Sequence, residues 1–135
     1  MKYLLDTNTC IRHLNHRSAS ITRRFHDLSN ADIAVCSVVK AELYYGAARS
    51  QQPAQTLRKQ KAFLSRFVSL PFDDNAATYY GRIRADLAQK GTPIGPNDMM
   101  IAAIALSNNL ILVTHNSGEF RRVAGLQLED WETEP

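Results

Sequence analysis

The sequence predicts an α/β fold in three layers, a central parallel sheet of four to five strands with helices on both faces. Three observations carry this expectation. Short apolar runs alternate with longer amphipathic stretches along the chain, and strands joined by helical crossovers build a parallel sheet. Two runs, Tyr3-Leu4-Leu5 and Leu110-Ile111-Leu112-Val113, are apolar without alternation, as strands buried on both faces must be. Residues 99–106 carry no polar side chain, so a helix there is apolar on every side and belongs to the interior.

In chain order, Tyr3-Leu4-Leu5 is a short strand that ends at Asp6. A helix is expected over residues 7–14 and another over about 20–28. Residues 33–36 read as the second strand, and Ser37 is a natural N-cap for a helix over 38–48. Pro53 suits the first turn of a helix running to about residue 67. Residues 68–70 form the third strand. Asp73 caps a long helix over 75–90, which Gly91 closes in the C′ position. Pro96 opens the apolar helix, and Asn108-Asn109 ends it. Residues 110–114 form a strand, 117–123 a short turn or helix, and 126–128 an edge strand. No repeat, low-complexity tract or linker interrupts this pattern, so residues 1–135 are expected to form one domain.

Composition narrows the class. With 44% hydrophobic and 21% charged residues, the chain is not expected to be disordered. Its longest strongly apolar run, residues 99–106, falls far short of the about 20 residues a membrane span needs. Residues 1–6 lack the charged and apolar regions of a secretory leader, so a cytoplasmic location is expected. Cys10 and Cys36 then remain reduced and read as small buried residues. The net charge is +3 and uneven: Glu129, Asp130, Glu132 and Glu134 crowd the end, while residues 1–128 hold all 16 basic residues against nine acidic ones. A basic body around an acidic pocket suits a polyanionic substrate with a metal between them; a solvated surface with a basic bias is the plainer alternative.

Three carboxylates break the apolar pattern. Asp6 ends the first strand, at the carboxyl edge where parallel sheets bind ligands, although it also suits the cap of the next helix. Glu42 has Val38, Val39, Tyr45 and Gly46 as helical neighbours, so it borders the apolar stripe and must snorkel, pair or bind something. Asp98 stands in the first turn of the apolar helix, where it also complements the helix dipole. If the three converge, like charges a few ångström apart need a counter-charge. A hard, oxygen-liking divalent cation such as Mg²⁺ supplies it. No His or Cys cluster competes: Arg12-His13-Leu14-Asn15-His16-Arg17 reads as a solvated basic face, and His26 as surface.

Four segments carry a family resemblance. Leu4-Leu5-Asp6-Thr7-Asn8 resembles the opening motif of PIN domains, and Ser37-Val38-Val39-Lys40-Ala41-Glu42 their second. Gly95-Pro96-Asn97-Asp98-Met99-Met100 resembles the third motif, and Val113-Thr114-His115-Asn116-Ser117-Gly118-Glu119-Phe120 the fourth. In order and spacing they are similar to the VapC toxins of VapBC toxin–antitoxin pairs, over nearly the whole chain. The resemblance implies a PIN-like sandwich and a Mg²⁺-dependent endoribonuclease, Mn²⁺ being a plausible substitute. It implies Asp6, Glu42 and Asp98 as catalytic and metal-holding residues. Asp6 and Asp98 would hold the main ion, with Glu42 acting through water or on a second ion. Many PIN domains have an aspartate in the fourth motif where this chain has Asn116; Glu119 stands close enough in sequence to replace the charge. Thr7, Ser37 and Thr114 read either as supporting donors or as helix caps and turn residues. Arg12, Arg17, Arg49, Arg82, Arg84, Arg121 and Arg122 are candidate RNA contacts.

The family precedent is attack of water on phosphorus with loss of the 3′ oxygen, leaving a 5′-phosphate and a 3′-hydroxyl. The implied partners are an RNA substrate, with the anticodon loop of initiator tRNA as the leading expectation, and a VapB-like antitoxin. A homodimer and a toxin–antitoxin hetero-oligomer are also implied, through Tyr44, Tyr45 or residues 53–67. Two rival readings remain: a non-catalytic binding module, and a haloacid dehalogenase-like phosphatase suggested by Asp6-Thr7-Asn8-Thr9. The latter lacks room and a correctly placed acidic pair, since Asp73-Asp74 follows the wrong element.

Overall fold

The computed structural model describes residues 1–133; Glu134, the last acid of the terminal cluster, lies outside them. Strand β1 (Tyr3–Leu5) is followed by helices α1 (Thr7–Leu14) and α2 (Ala19–Asp27) and a short 3-10 turn at Asn30–Asp32. Strand β2 (Ile33–Cys36) leads into α3 (Ser37–Ala48) and α4 (Pro53–Leu64). After β3 (Val68–Leu70) come α5 (Asp74–Gln89) and α6 (Pro96–Ser107), then β4 (Ile111–Val113), α7 (Ser117–Phe120) and β5 (Leu128–Glu129).

The five strands form one wholly parallel sheet in the order β3-β2-β1-β4-β5. From β1 the chain steps outward twice to β3, then returns across the sheet to β4 on the other side of β1. Right-handed crossovers in opposite directions place helices on opposite faces, giving three layers. The reversal lies between β1 and β4, and the crevice beyond their carboxyl ends is where such sheets bind ligands. Tyr3 pairs with Ile111 and Leu5 with Val113, so Asp6 and Thr114 leave adjacent strands side by side.

Burial explains the strength of the pattern. Leu4, Leu5, Ala34, Val35, Leu112 and Val113 have no exposed surface, nor do Ile101, Ala102, Ala103, Ile104 and Ala105 of α6. Trp131 closes the core at the opposite end of the chain, edge-on to Tyr3 at 5.2 Å and to Phe25 at 5.5 Å. Gly91 (φ +68°) takes the left-handed position after α5, as expected. Asp73 caps α5 through the Ala76 amide at 2.9 Å. Among the described residues no helix is long and apolar enough to cross a membrane.

Several expectations need correction. Ser37 is the first residue of α3, not its cap; Cys36 holds the cap position without a side-chain bond. Helix α4 stops at Leu64, short of 67. Phe67 is buried all the same, but through a turn in which its amide bonds Leu64, because the chain must bend into β3. The edge strand is Leu128–Glu129, set by the bonds of Leu112 to Gln127 and Thr114 to Glu129. His13 does not lie on a solvated face: it is half-buried, 4.4 Å from the Phe25 ring and 5.2 Å from Phe63. Loss of hydration holds its imidazole below the ordinary value, helped by Arg66 and His16. Cys10 and Cys36 are buried free thiols, as expected.

Candidate active site

Asp6 leaves β1 almost fully buried, 4% exposed, which only a well-bonded carboxylate tolerates. Its Oδ1 accepts from the Thr7 amide at 2.8 Å and its Oδ2 from the Thr114 hydroxyl at 2.7 Å. Asp6 is therefore both the N-cap of α1 and a member of the crevice. Burial pushes its carboxyl above the ordinary value; the bonds from Thr114 and Thr7 oppose this, and the charge of Glu42 adds to it.

Thr7 links two of the acids. Its amide serves Asp6, and its hydroxyl donates to Glu42 Oε1 at 2.6 Å. Glu42 comes from α3, whose buried stripe is Val39, Leu43 and Ala47, so it stands at the stripe's margin, half-buried. Thr114, with no exposed surface, donates to Asp6 and accepts the Asn116 amide at 3.0 Å.

Asp98 enters from the first turn of α6. Its carboxyl is pushed up to about 6, first by burial, then by the charges of Asp6, Glu42 and Glu119, and by a hydrogen bond with Glu119. The charges of Asp6, Glu42 and, from α7, Glu119 thus all act on Asp98, so the four acids neighbour one another, although they do not form a group with ligand atoms within 4.8 Å as His115, Asp130 and Glu132 do. Among the described residues none of the ion pairs involves any of these four. Four carboxyl groups, with no His or Cys among them, are the donor type that a hard divalent ion takes.

Glu42 and Thr7 face an open cleft of about 730 Å³, shared with Asn8, Ser37, Arg49 and Asn97. Ser37 is exposed there, and Asn116 lines a neighbouring cleft with Asn8 and Arg12. Of the seven candidate arginines, only Arg49 and Arg12 border these clefts. Arg12 is engaged with Glu132 at 2.8 Å. Arg82 stacks near Tyr79 in a separate apolar cavity, Arg84 donates to Tyr80, and Arg122 to the Pro93 carbonyl. Arg17 and Arg121 are exposed.

One cluster escaped the sequence reading. His115 Nδ1 lies 2.9 Å from Asp130 and 3.5 Å from Glu132, three groups with ligand atoms within 4.8 Å of one another. They come from opposite sides of the β4–β5 pairing, so no spacing announced them. Arg12 already offsets Glu132, and the arrangement ties the loop after β4 to the chain end.

The PIN domain family model matches residues 3–126. The chain is 47% identical over 131 residues to a Shigella flexneri protein named tRNA(fMet)-specific endonuclease VapC, covering 97% of this chain and 98% of that one. It is 41% identical to Ribonuclease VapC2 of Rickettsia felis, covering 98% and 99%. Its fold is similar to that in the crystal structure of DNA-bound VapBC from Salmonella typhimurium, with a TM-score of 0.92, 43% identity, and coverage of 97% and 98%.

Proposed function

Because the chain belongs to the PIN domain family, we propose that it is an endoribonuclease of the VapC type, hydrolysing RNA phosphodiester bonds with Asp6, Glu42 and Asp98 as its catalytic and metal-holding carboxylates. The observation that supports this most directly is that Asp6, Glu42 and Glu119 all act on Asp98 while none of the four is in an ion pair among the described residues. Divalent-metal dependence goes with the family; Mg²⁺ is our reading of the ion, from the all-oxygen donor set.

Asp6 and Asp98 would hold the ion, with Glu42 on its flank. When bound, Mg²⁺ supplies charge neutralisation for the phosphate and acidity for water. The rest is positioning by the chain. Thr7 and Thr114 hold the Asp6 oxygens in one orientation, and Thr7 fixes Glu42. We take Glu119 in place of the acid that Asn116 does not supply, because its charge acts on Asp98. The phosphodiester is opened by water in line with the departing 3′ oxygen.

The Shigella flexneri relative's name specifies tRNA(fMet). We take the initiator tRNA anticodon loop as the substrate here, and a VapB-like antitoxin as the neutralising partner, as the VapBC complexes of similar chains suggest. A toxin–antitoxin hetero-oligomer goes with the same likeness, and a homodimer with the family resemblance. Asp6→Asn and Asp98→Asn should each lower cleavage of initiator tRNA more than about 100-fold, beyond what losing a supporting group costs, with the circular dichroism spectrum unchanged. EDTA should stop the wild-type reaction and Mg²⁺ restore it. Cleavage at the wild-type rate by folded Asp98→Asn overturns the assignment.

A further inference from the structure

Tyr45 is 64% exposed, yet it stands within the cleft that Glu42 faces. On α3 the residues Glu42, Tyr45, Gly46 and Arg49 follow at i, i+3, i+4 and i+7, so they form one line along one helix face. All four border the same cleft. The Arg49 guanidinium lies 4.8 Å from the centre of the Tyr45 ring. It forms no ion pair among the described residues, unlike Arg12 beside the neighbouring cleft. Beside the ring, a Cβ added to Gly46 would meet nothing within 4 Å, so the floor there is open.

The line begins at a carboxylate of the reactive cluster and ends, about 10 Å along the helix, at a cation. An RNA strand whose scissile phosphate lies at the carboxylates must continue somewhere. This wall offers a flat ring for a base and a positive charge for the next phosphate. We propose that Tyr45 and Arg49 form a subsite for the nucleotide beside the scissile bond, the base stacking on Tyr45 and the adjoining phosphate held by Arg49. The inference rests on the ribonuclease reading of the cluster and extends it to the substrate. A base must leave its helix to stack on a side chain, so the subsite selects unpaired RNA and tolerates any base.

The test is binding of a short unpaired RNA oligonucleotide, followed by fluorescence anisotropy with the Asp98→Asn protein in Mg²⁺. Adding Tyr45→Ala should weaken binding about 5- to 150-fold, the range of one lost base stack. Tyr45→Trp and Tyr45→Phe should recover most of it, which a role of the hydroxyl group would not predict. Arg49→Ala should weaken binding for all sequences and lower the salt slope by about one. An abasic nucleotide at the stacked position should weaken binding to the parent protein but cost nothing further in Tyr45→Ala. Equal binding by Tyr45→Ala, or loss without any position at which the abasic effect vanishes, overturns the subsite. A change of oligomeric state on Tyr45→Ala that explains the whole loss also overturns it, assigning the ring to a contact between copies. If wild type cleaves no RNA, the ribonuclease reading itself fails; if it cleaves while Tyr45→Ala binds normally, only the subsite does.

Discussion

Thr114 has no exposed surface and uses its hydroxyl twice, donating to Asp6 and accepting the Asn116 amide. Valine has nearly its shape but neither bond. Thr114→Val should leave a buried carboxylate short of a donor and a backbone amide unpaired, costing about 1–3 kcal/mol in stability. It should also lower metal-dependent cleavage about 10- to 100-fold, as loss of a supporting partner does. Thr114→Ser should recover most of both; urea unfolding and initial rates check the pair. Thr7 bridges Asp6 and Glu42 through its amide and its hydroxyl. Local spacing does not say which of Asn116 and Glu119 approaches Asp98. Asn116 follows the strand while Glu119 sits in the short helix after it, and only the fold of that loop decides which one turns inward.

At the scale of the element, local rules located most helices to within a residue or two. Asp73, Pro53, Pro96 and Gly91 act where cap and turn chemistry places them. The rules misplaced Ser37, because α3 begins directly from the last residue of β2 with no linker to hold a cap. They extended α4 to Phe67, because burial of Phe63, Leu64 and Phe67 mimics helical spacing through a turn. Inside α5, Gly81 is exposed, has no positive φ, and a Cβ there meets nothing within 4 Å. Gly81→Ala should therefore stabilise the protein by about 1 kcal/mol, the helix penalty of glycine. Its melting temperature should rise by a few degrees, with the cleavage rate unchanged.

The molecule as a whole carries a cluster of acids whose charge burial and proximity oppose. Asp98 moves from an ordinary 3.8 to about 6, and Asp6 moves in the same direction. The folded metal-free protein therefore holds protons that the unfolded chain releases. The stability from this source is fully present below 3.8 and is lost as pH rises through about 6. In EDTA the melting temperature should fall across that window relative to Asp98→Asn. At pH 7 Asp98→Asn should be the more stable by about 1 kcal/mol, less than the full shift implies because the half-exposed carboxyl is screened by water. Mg²⁺ should reverse the fall, adding about 2.7 kcal/mol at a hundred times its dissociation constant. A melting temperature at pH 7 indifferent to both Mg²⁺ and Asp98→Asn would mean that the acids do not form one cation site.

Residue order alone determined the layered α/β class, the buried strands around Leu4 and Leu112, the interior position of α6, and the three acids as breaks in an apolar pattern. These follow from periodicity and from the cost of burying charge, which act over a few residues at a time. Tertiary structure decided the rest: the sheet order that sets β1 beside β4, the approach of Glu119 to Asp98, the packing of His13 among Phe25 and Phe63, and the tie of His115 to Asp130 and Glu132. Each joins residues far apart in the chain, and nothing in local spacing records which distant surfaces the buried core will bring into contact.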